Sequence, residues 1–233
     1  MITANSLESE NRIPILELLP INNQVEAPPM LRKTWGWLGF RTNSDLISFL
    51  GKVSISVPFN KLWLLTRLVL PDVIIKANSS QGTKTVFSVT FHELAHASHF
   101  RKVGSSYWIK FINYIITYGN TSNPYGDGTG YNFGVCGVGE MWGNYLSAFL
   151  TDAEFGGGYM NIWINREYGG KELWFNPGFL KLVNDIPDIS ISEIFSCLVN
   201  DTDTFDKLIA KLKTKTIYDE QVDRAFNRYT DWP

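Results

Sequence analysis

From Thr85 to Lys102 the segment TVFSVTFHELAHASHFRK carries apolar residues on nearly every face of a helix and polar residues on one narrow stripe. With His92 set at 0°, Ser88, His96 and His99 all fall within about 40° of it. Val86, Phe87, Val89, Phe91, Leu94, Ala95, Ala97 and Phe100 cover the rest of the surface, so the helix is predicted to be buried almost all round. A second helix, SYWIKFINYIITYG, is predicted to stop at Gly119. A third runs from about Glu140 to Phe155, ahead of a Gly-Gly-Gly stop. It too has a single polar stripe: Asn144, Ser147 and Thr151 lie within about 40° of Glu140. Its other faces carry Met141, Trp142, Tyr145, Leu146, Ala148, Phe149 and Leu150. Between the second and third helices, GNTSNPYGDGTGYNFGVCGVG reads as a Gly-rich loop of roughly twenty residues, long enough to suggest a functional role. Short helices complete the chain: NPGFLKLVND with Asn176 as cap and Pro177 in the first helical position, then SISEIFSCLV, DTFDKLIAKLK and DEQVDRAFNRY.

Upstream of the motif the period changes. SDLISFLGK suggests a short helix capped by Ser44 and ended by Gly51, KVSISVPF alternates like a strand, and RLVLPDVIIKANSS reads as one or two β segments before a turn. Residues 1–30, with a Pro-Pro pair near their end, read as an extended lead-in. Strands before the motif and helices after it predict an α+β fold. In it, a small sheet packs beside the motif helix and the C-terminal half is mostly helical. The organisation is a lead-in over 1–30 and a single domain over 31–233.

Composition narrows the function classes. With 44% hydrophobic and 19% charged residues the chain can build a substantial globular core. A net charge of −2 without a basic block argues against a nucleic-acid partner. The most apolar stretch, LWLLTRLVLPDVII, is interrupted by Arg67 and Pro71, so no transmembrane segment is expected. The polar start MITANSLESENRIPI lacks a signal-peptide h-region. It fits a trimmed exported bacterial protein or a cytoplasmic one. Cys136 and Cys197 either pair or lie as buried free thiols.

All three histidines of the chain fall in HELAHASHF, residues 92–100. His92-Glu93-Leu94-Ala95-His96 is an HExxH motif on a predicted helix. The i, i+4 spacing puts both imidazoles on one face, one turn apart, where they can share an ion at roughly 2.0–2.1 Å each, which suits a single Zn²⁺. Glu93 lies about 100° round, unable to chelate with both histidines but able to reach a metal-bound water as general base. A hydrogen-bonded core cluster without metal would leave Glu93 a buried acid with no evident cation beside it.

A third ligand is needed. His99 shares the stripe, but it is seven residues from His92, about 10.5 Å along the axis. Ligand atoms on one zinc lie within roughly 4 Å of each other, so His99 is expected to line or support the site, or to pack in the core. Glu140 is the better candidate. Facing the two polar stripes together satisfies both and places Glu140 at the ion. Asn144, one turn on, can then accept a ring N–H from a ligating histidine and fix its tautomer. The helix macrodipole could stabilise an acid near a helix start, but it leaves Asn144, Ser147 and Thr151 in register unexplained. Asp127, Asp152 and Glu154 are the weaker rivals.

HExxH on one helix, a glutamate on a later one and a polar residue four positions on resemble the gluzincin, thermolysin-like branch of zincin metallopeptidases, mainly over residues 68–155. Asn144 stands where that family often has Asp. The resemblance implies a zincin-like fold, with His92, His96 and Glu140 as zinc ligands and Glu93 as general base. It also implies an edge strand upstream, here Pro71 to Ala77, on which Val73, Ile74 and Ile75 take a peptide or protein substrate by strand addition. An oxyanion-stabilising group is expected as well. Tyr159, after three glycines, is the first choice as this catalytic group, with Arg166, Tyr168, Tyr125 and Tyr131 open. The expected activity is hydrolysis of peptide bonds. Alternatives are a zinc hydrolase acting on non-peptide amides or on its parent polypeptide, and a non-enzymatic peptide-binding module on the same scaffold.

Overall fold

The computed structural model describes residues 16–19, 73–76, 82–119, 125–164 and 174–229. The chain divides into two compact units, Met1–Gly82 and Thr83–Pro233. In the first, strands β1 (Leu16–Leu19) and β2 (Val73–Lys76) pair in parallel, with Leu16 opposite Val73 and Leu18 opposite Ile75. The expected helix capped by Ser44, the KVSISVPF strand, and the lead-in 1–30 apart from β1 lie outside the described residues.

The second unit contains the motif and is helical, with no strand among its described residues. The α+β expectation of a small sheet packed beside the motif helix is therefore incorrect. The upstream β-branched runs precede Gly82 and so fall in the other compact unit. Helices cover the motif helix instead. Helix α1 (Thr83–Val103) packs most extensively on α3 (Phe133–Phe155), and α2 (Ser105–Tyr118) packs on both. Apolar faces of helices serve as well as a sheet for closing a core, provided their surfaces interdigitate.

The ends of α1 and α2 follow local chemistry. Gly104 separates them at φ +77°, a left-handed conformation that glycine adopts at little cost, and its N–H donates to Phe100 O at 2.8 Å. Arg101 and Lys102 in the last turn of α1 complement the helix dipole. Helix α2 ends as expected before Gly119, whose N–H donates to Ile115 O. Its Tyr107, Trp108, Phe111 and Tyr114 are buried and form an aromatic floor under α1 and α3.

Helix α3 begins seven residues earlier than the sequence suggests, so FGVCGVG is helix rather than loop. Glycines cost helix stability locally, roughly 1 kcal/mol each, but here they permit close packing. A Cβ at Gly137 would meet Phe205 Cζ at 2.4 Å and Trp174 at 2.5 Å. Tertiary contact overrides propensity.

After α3 come α4 (Tyr159–Ile164), α5 (Gly178–Asn184), α6 (Ile191–Cys197), α7 (Phe205–Lys213) and α8 (Asp219–Asn227). Ser190 and Thr204 cap α6 and α7 by accepting from the N–H groups of Glu193 and Lys207. The Asn176 side chain accepts from Gly178 N–H at 2.7 Å, the capping role expected of it. Leu180, Val183, Ile194, Leu198, Leu208, Leu212 and Val222 are buried, giving these short helices one apolar core. Cys136 and Cys197 are both buried free thiols.

Candidate metal centre

Helices α1 and α3 bring His92, His96 and Glu140 together. His92 Nε2 and His96 Nε2 are 2.9 Å apart. Glu140 Oε2 lies 3.5 Å from His92 Nε2, and Glu140 Oε1 lies 3.4 Å from His96 Nε2. Ligand atoms sharing one ion at about 2.0–2.2 Å in a tetrahedral arrangement stand roughly 3.3–3.6 Å apart. The two carboxylate distances match that spacing. The imidazole pair is a little closer, at the distance of one ring N–H donating to the other. The three residues thus form a group that could hold a metal ion.

Glu140 lies about two turns inside α3, where end effects of the dipole have faded. Its partners must therefore be side chains. Two buried carboxylate oxygens, Glu140 Oε2 and Glu93 Oε2, have no hydrogen-bond partner. Buried acids in this condition call for a cation, and the donor set of two imidazoles and a carboxylate is one that zinc accepts.

Local packing fixes the rings. A Cβ at Gly143 would stand 2.9 Å from Cε1 of both His92 and His96. The bare backbone of α3 is therefore the surface against which the imidazoles rest. Trp108 and Phe111 of α2 meet His96 edge-on, with centroids 5.4 and 6.2 Å away. His96 Nδ1 has no hydrogen-bond partner, so packing holds this ring where a polar partner often would.

The electrostatics are coupled. Burial lowers the His92 pKa, but the neighbouring Glu140 carboxylate, the charge of Glu93 and the Asn144 side chain outweigh it, and the net shift is upward. Burial raises the Glu140 pKa, but the two histidines more than reverse this and hold it at about 2. Glu93 is raised: burial dominates and Glu140 adds to it, against the lowering effect of both histidines. Such a carboxyl is a better proton acceptor than an exposed one.

The other sequence-derived residues divide. The Asn144 side chain is near enough to His92 to contribute, last among the causes, to its raised pKa. Ser147 and Thr151, in the same stripe, donate instead to the backbone carbonyls of Asn144 and Ser147. His99 is fully buried, with its ring against Tyr107 and Trp108. Tyr159 is not brought to the group. Its N–H donates to Asp152 Oδ1, and its ring lies 5.3 Å from Lys84 Nζ, on a residue about 12 Å along α1 from His92. Its three preceding glycines serve the turn between α3 and α4. Asp152 caps α4, Glu154 is exposed, and Asp127 accepts from Thr129 in its own turn. Tyr131 is 79% exposed. Arg166 and Tyr168 lie outside the described residues. Val73, Ile74 and Ile75 form β2 in the other unit.

Two contributors carry weaker sequence signals. Tyr125, one of the open loop tyrosines, lies near the site: the charge of Glu140, then burial and the charge of Glu93, push its phenol well above the ordinary tyrosine range. Gly143 went unnoticed. Its signal is a helix-interior glycine three residues after the candidate ligand.

His99 supplies a prediction about stability. Burial, then the neighbouring His96 and Lys102, lower its pKa to about 3. The folded chain keeps the ring neutral, whereas the unfolded chain protonates it below about pH 6.5. Its stabilising contribution is therefore complete above that value and falls as pH drops toward 3. In metal-free protein, wild type is expected to lose about 2–3 kcal/mol more than His99→Leu between pH 7 and 4.5. Urea unfolding of both at each pH checks this, and parallel losses would refute it.

Among the described residues no helix is long and apolar enough to cross a membrane. Comparison of the chain with family models, curated proteins and solved structures gives no match, so what the centre does must be inferred from its own residues.

Proposed function

We propose that the chain is a zinc metallopeptidase that hydrolyses peptide bonds at the centre formed by His92, His96, Glu140 and Glu93. The observation that supports this is the convergence of two imidazoles and a carboxylate from α1 and α3, with ligand atoms 2.9–3.5 Å apart, beside a buried glutamate that has an unpartnered oxygen. His92, His96 and Glu140 would hold the ion. When bound, zinc polarises a scissile carbonyl and lowers the pKa of water.

The chain's own groups do the remaining work. Glu93 accepts a proton from the attacking water and returns it to the leaving amine, the task for which burial has raised its basicity. Asn144 orients the His92 ring. The aromatic floor from α2 limits water at the site.

The low exposure of the group favours a second reading, an ion that only ties α1 to α3. His96 and Glu140 side chains are 5% and 3% exposed, and His92 offers 15%. Structural zinc usually takes four protein ligands, and three residues come together here.

Protein purified without chelators should carry close to one zinc per chain and cleave some members of a diverse peptide library. Cleavage should stop with a zinc chelator and return on re-addition of zinc. Products are read by mass spectrometry. Bound zinc without any chelator-sensitive cleavage would favour the structural ion, and absence of bound zinc would defeat both.

A further inference from the structure

Gln221, Arg224 and Arg228 fall on one face of α8 and its C-terminal end. That face borders a cavity of about 310 Å³, whose remaining lining is Leu182, Ile186 and Ala225. Ile186 and Ala225 are buried and Leu182 is half-buried, whereas both arginines are exposed. The cavity thus has an apolar floor and a basic rim. Its walls are held in place: α5 packs on α8, and Phe179 meets Phe226 edge-on at a centroid distance of 5.7 Å. The volume suits a small molecule.

The charges around this cavity are unevenly matched. The lysines from Lys181 to Lys215 each meet a carboxylate. Two acids of the cavity's own walls are taken in this way, Asp185 by Lys181 and Asp223 by Lys213. Arg224 and Arg228 meet no carboxylate among the described residues. A cation near the end of a helix complements its dipole, but that does not require two guanidiniums beside an apolar floor. Four residues apart, their Cβ atoms stand about 5–6 Å from each other. A guanidinium offers a planar fork that matches the two oxygens of a carboxylate. Gln221 adds a neutral donor.

We infer that this cavity binds a small organic carboxylate: Arg224 and Arg228 take the head group, and Leu182, Ile186 and Ala225 take an apolar body. A bare inorganic anion would leave the floor unused, and an uncharged apolar molecule would leave the arginines unused. The inference is independent of the metal centre.

Octanoate is the probe, titrated into isotope-labelled, metal-free protein so that no bound ion competes for it. Amide chemical shifts report where it binds. Saturable binding is expected with a Kd of about 1 mM or below, with shifts centred on residues 182–186 and 221–228, and with affinity falling as salt rises. Replacing both arginines, Arg224→Gln with Arg228→Gln, should weaken octanoate roughly 10-fold or more while the thermal midpoint stays close to wild type. The pair Arg224→Lys and Arg228→Lys keeps the charge, loses the fork and should weaken it by roughly a few-fold. Octanol and inorganic phosphate should each bind more weakly than octanoate. Octanoate affinity unchanged in both double variants, or matched by octanol, would overturn the role of the arginines. Phosphate binding as tightly as octanoate would overturn the role of the apolar floor. Shifts centred on α1 and α3, or no saturable binding, would overturn the site itself and leave the proposed zinc centre untouched.

Discussion

Glu93→Gln is expected to lower chelator-sensitive peptide hydrolysis by roughly 10²–10⁴-fold, the contribution of a positioned general base, while zinc stays bound with nearly unchanged affinity. The separation of the two effects follows from where Glu93 sits. It is one residue after His92, about 100° round the helix, and the converging ligand atoms belong to His92, His96 and Glu140 without it. Gln keeps the shape and removes the basic oxygen. It also removes an acid that burial penalises, so the variant should fold at least as stably as wild type without metal. Parallel measurement of zinc content, kcat/KM and thermal midpoint reads all three. Full activity in the variant would eliminate Glu93 as the general base. Loss of zinc along with activity would make Glu93 part of the ion's binding set.

Lost activity with zinc retained supports the catalytic reading of the buried centre, because a structural ion has no use for a base. A fold-supporting zinc needs ligands and closure, and a neighbouring uncompensated carboxylate is a burden to it. The observation that Glu93 Oε2 is buried without a partner therefore has meaning beyond stability. Natural chains keep such costs chiefly where a reaction uses them.

The parts of this centre that the sequence made legible are those written in a helical period. The stripe of His92, His96 and His99 is local, and the helix it predicts over residues 85–102 matches α1 at Thr83–Val103. Glu140 is legible for the same reason: a polar stripe on an apolar helix needs a partner, and facing it to the stripe of α1 is the simplest way to satisfy both. Non-local facts were not legible. Whether α1 is covered by a sheet or by helices depends on which distant segment packs there, and β-branched runs upstream of Gly82 could not show that they lie in another compact unit. The start of α3 was hidden because Gly134, Gly137 and Gly139 read as loop until the neighbours that require them are known. Tyr125 lies in an aperiodic loop, so its place near Glu140 has no sequence phase at all. The glycines that point to Tyr159 in the sequence shape the turn before α4, whose first N–H groups donate to Asp152.

Gly143 carries the second large effect. Gly143→Ala places a methyl group 2.9 Å from Cε1 of both His92 and His96 and 3.1 Å from His92 Nδ1. Helix backbone cannot yield easily on one side, and Trp108 and Phe111 block His96 on the other. The imidazoles must tilt or α1 must move away from α3. Overpacking of this kind costs about 1–3 kcal/mol in stability, against a helix-propensity gain of under about 1 kcal/mol. Displaced rings also lose their common focus, so zinc affinity should fall by roughly 100-fold or more, beyond the usual effect of a lost outer partner. Gly137→Ala separates the two consequences. Its methyl meets Phe205 and Trp174 at 2.4–2.5 Å, a clash at least as severe, but with residues that touch no ligand. It should therefore lower the urea midpoint while leaving zinc affinity within a few-fold of wild type. If Gly143→Ala bound zinc as tightly as Gly137→Ala does, the backbone of α3 would not be what sets the imidazoles, and the ring geometry would have to come from α2 alone.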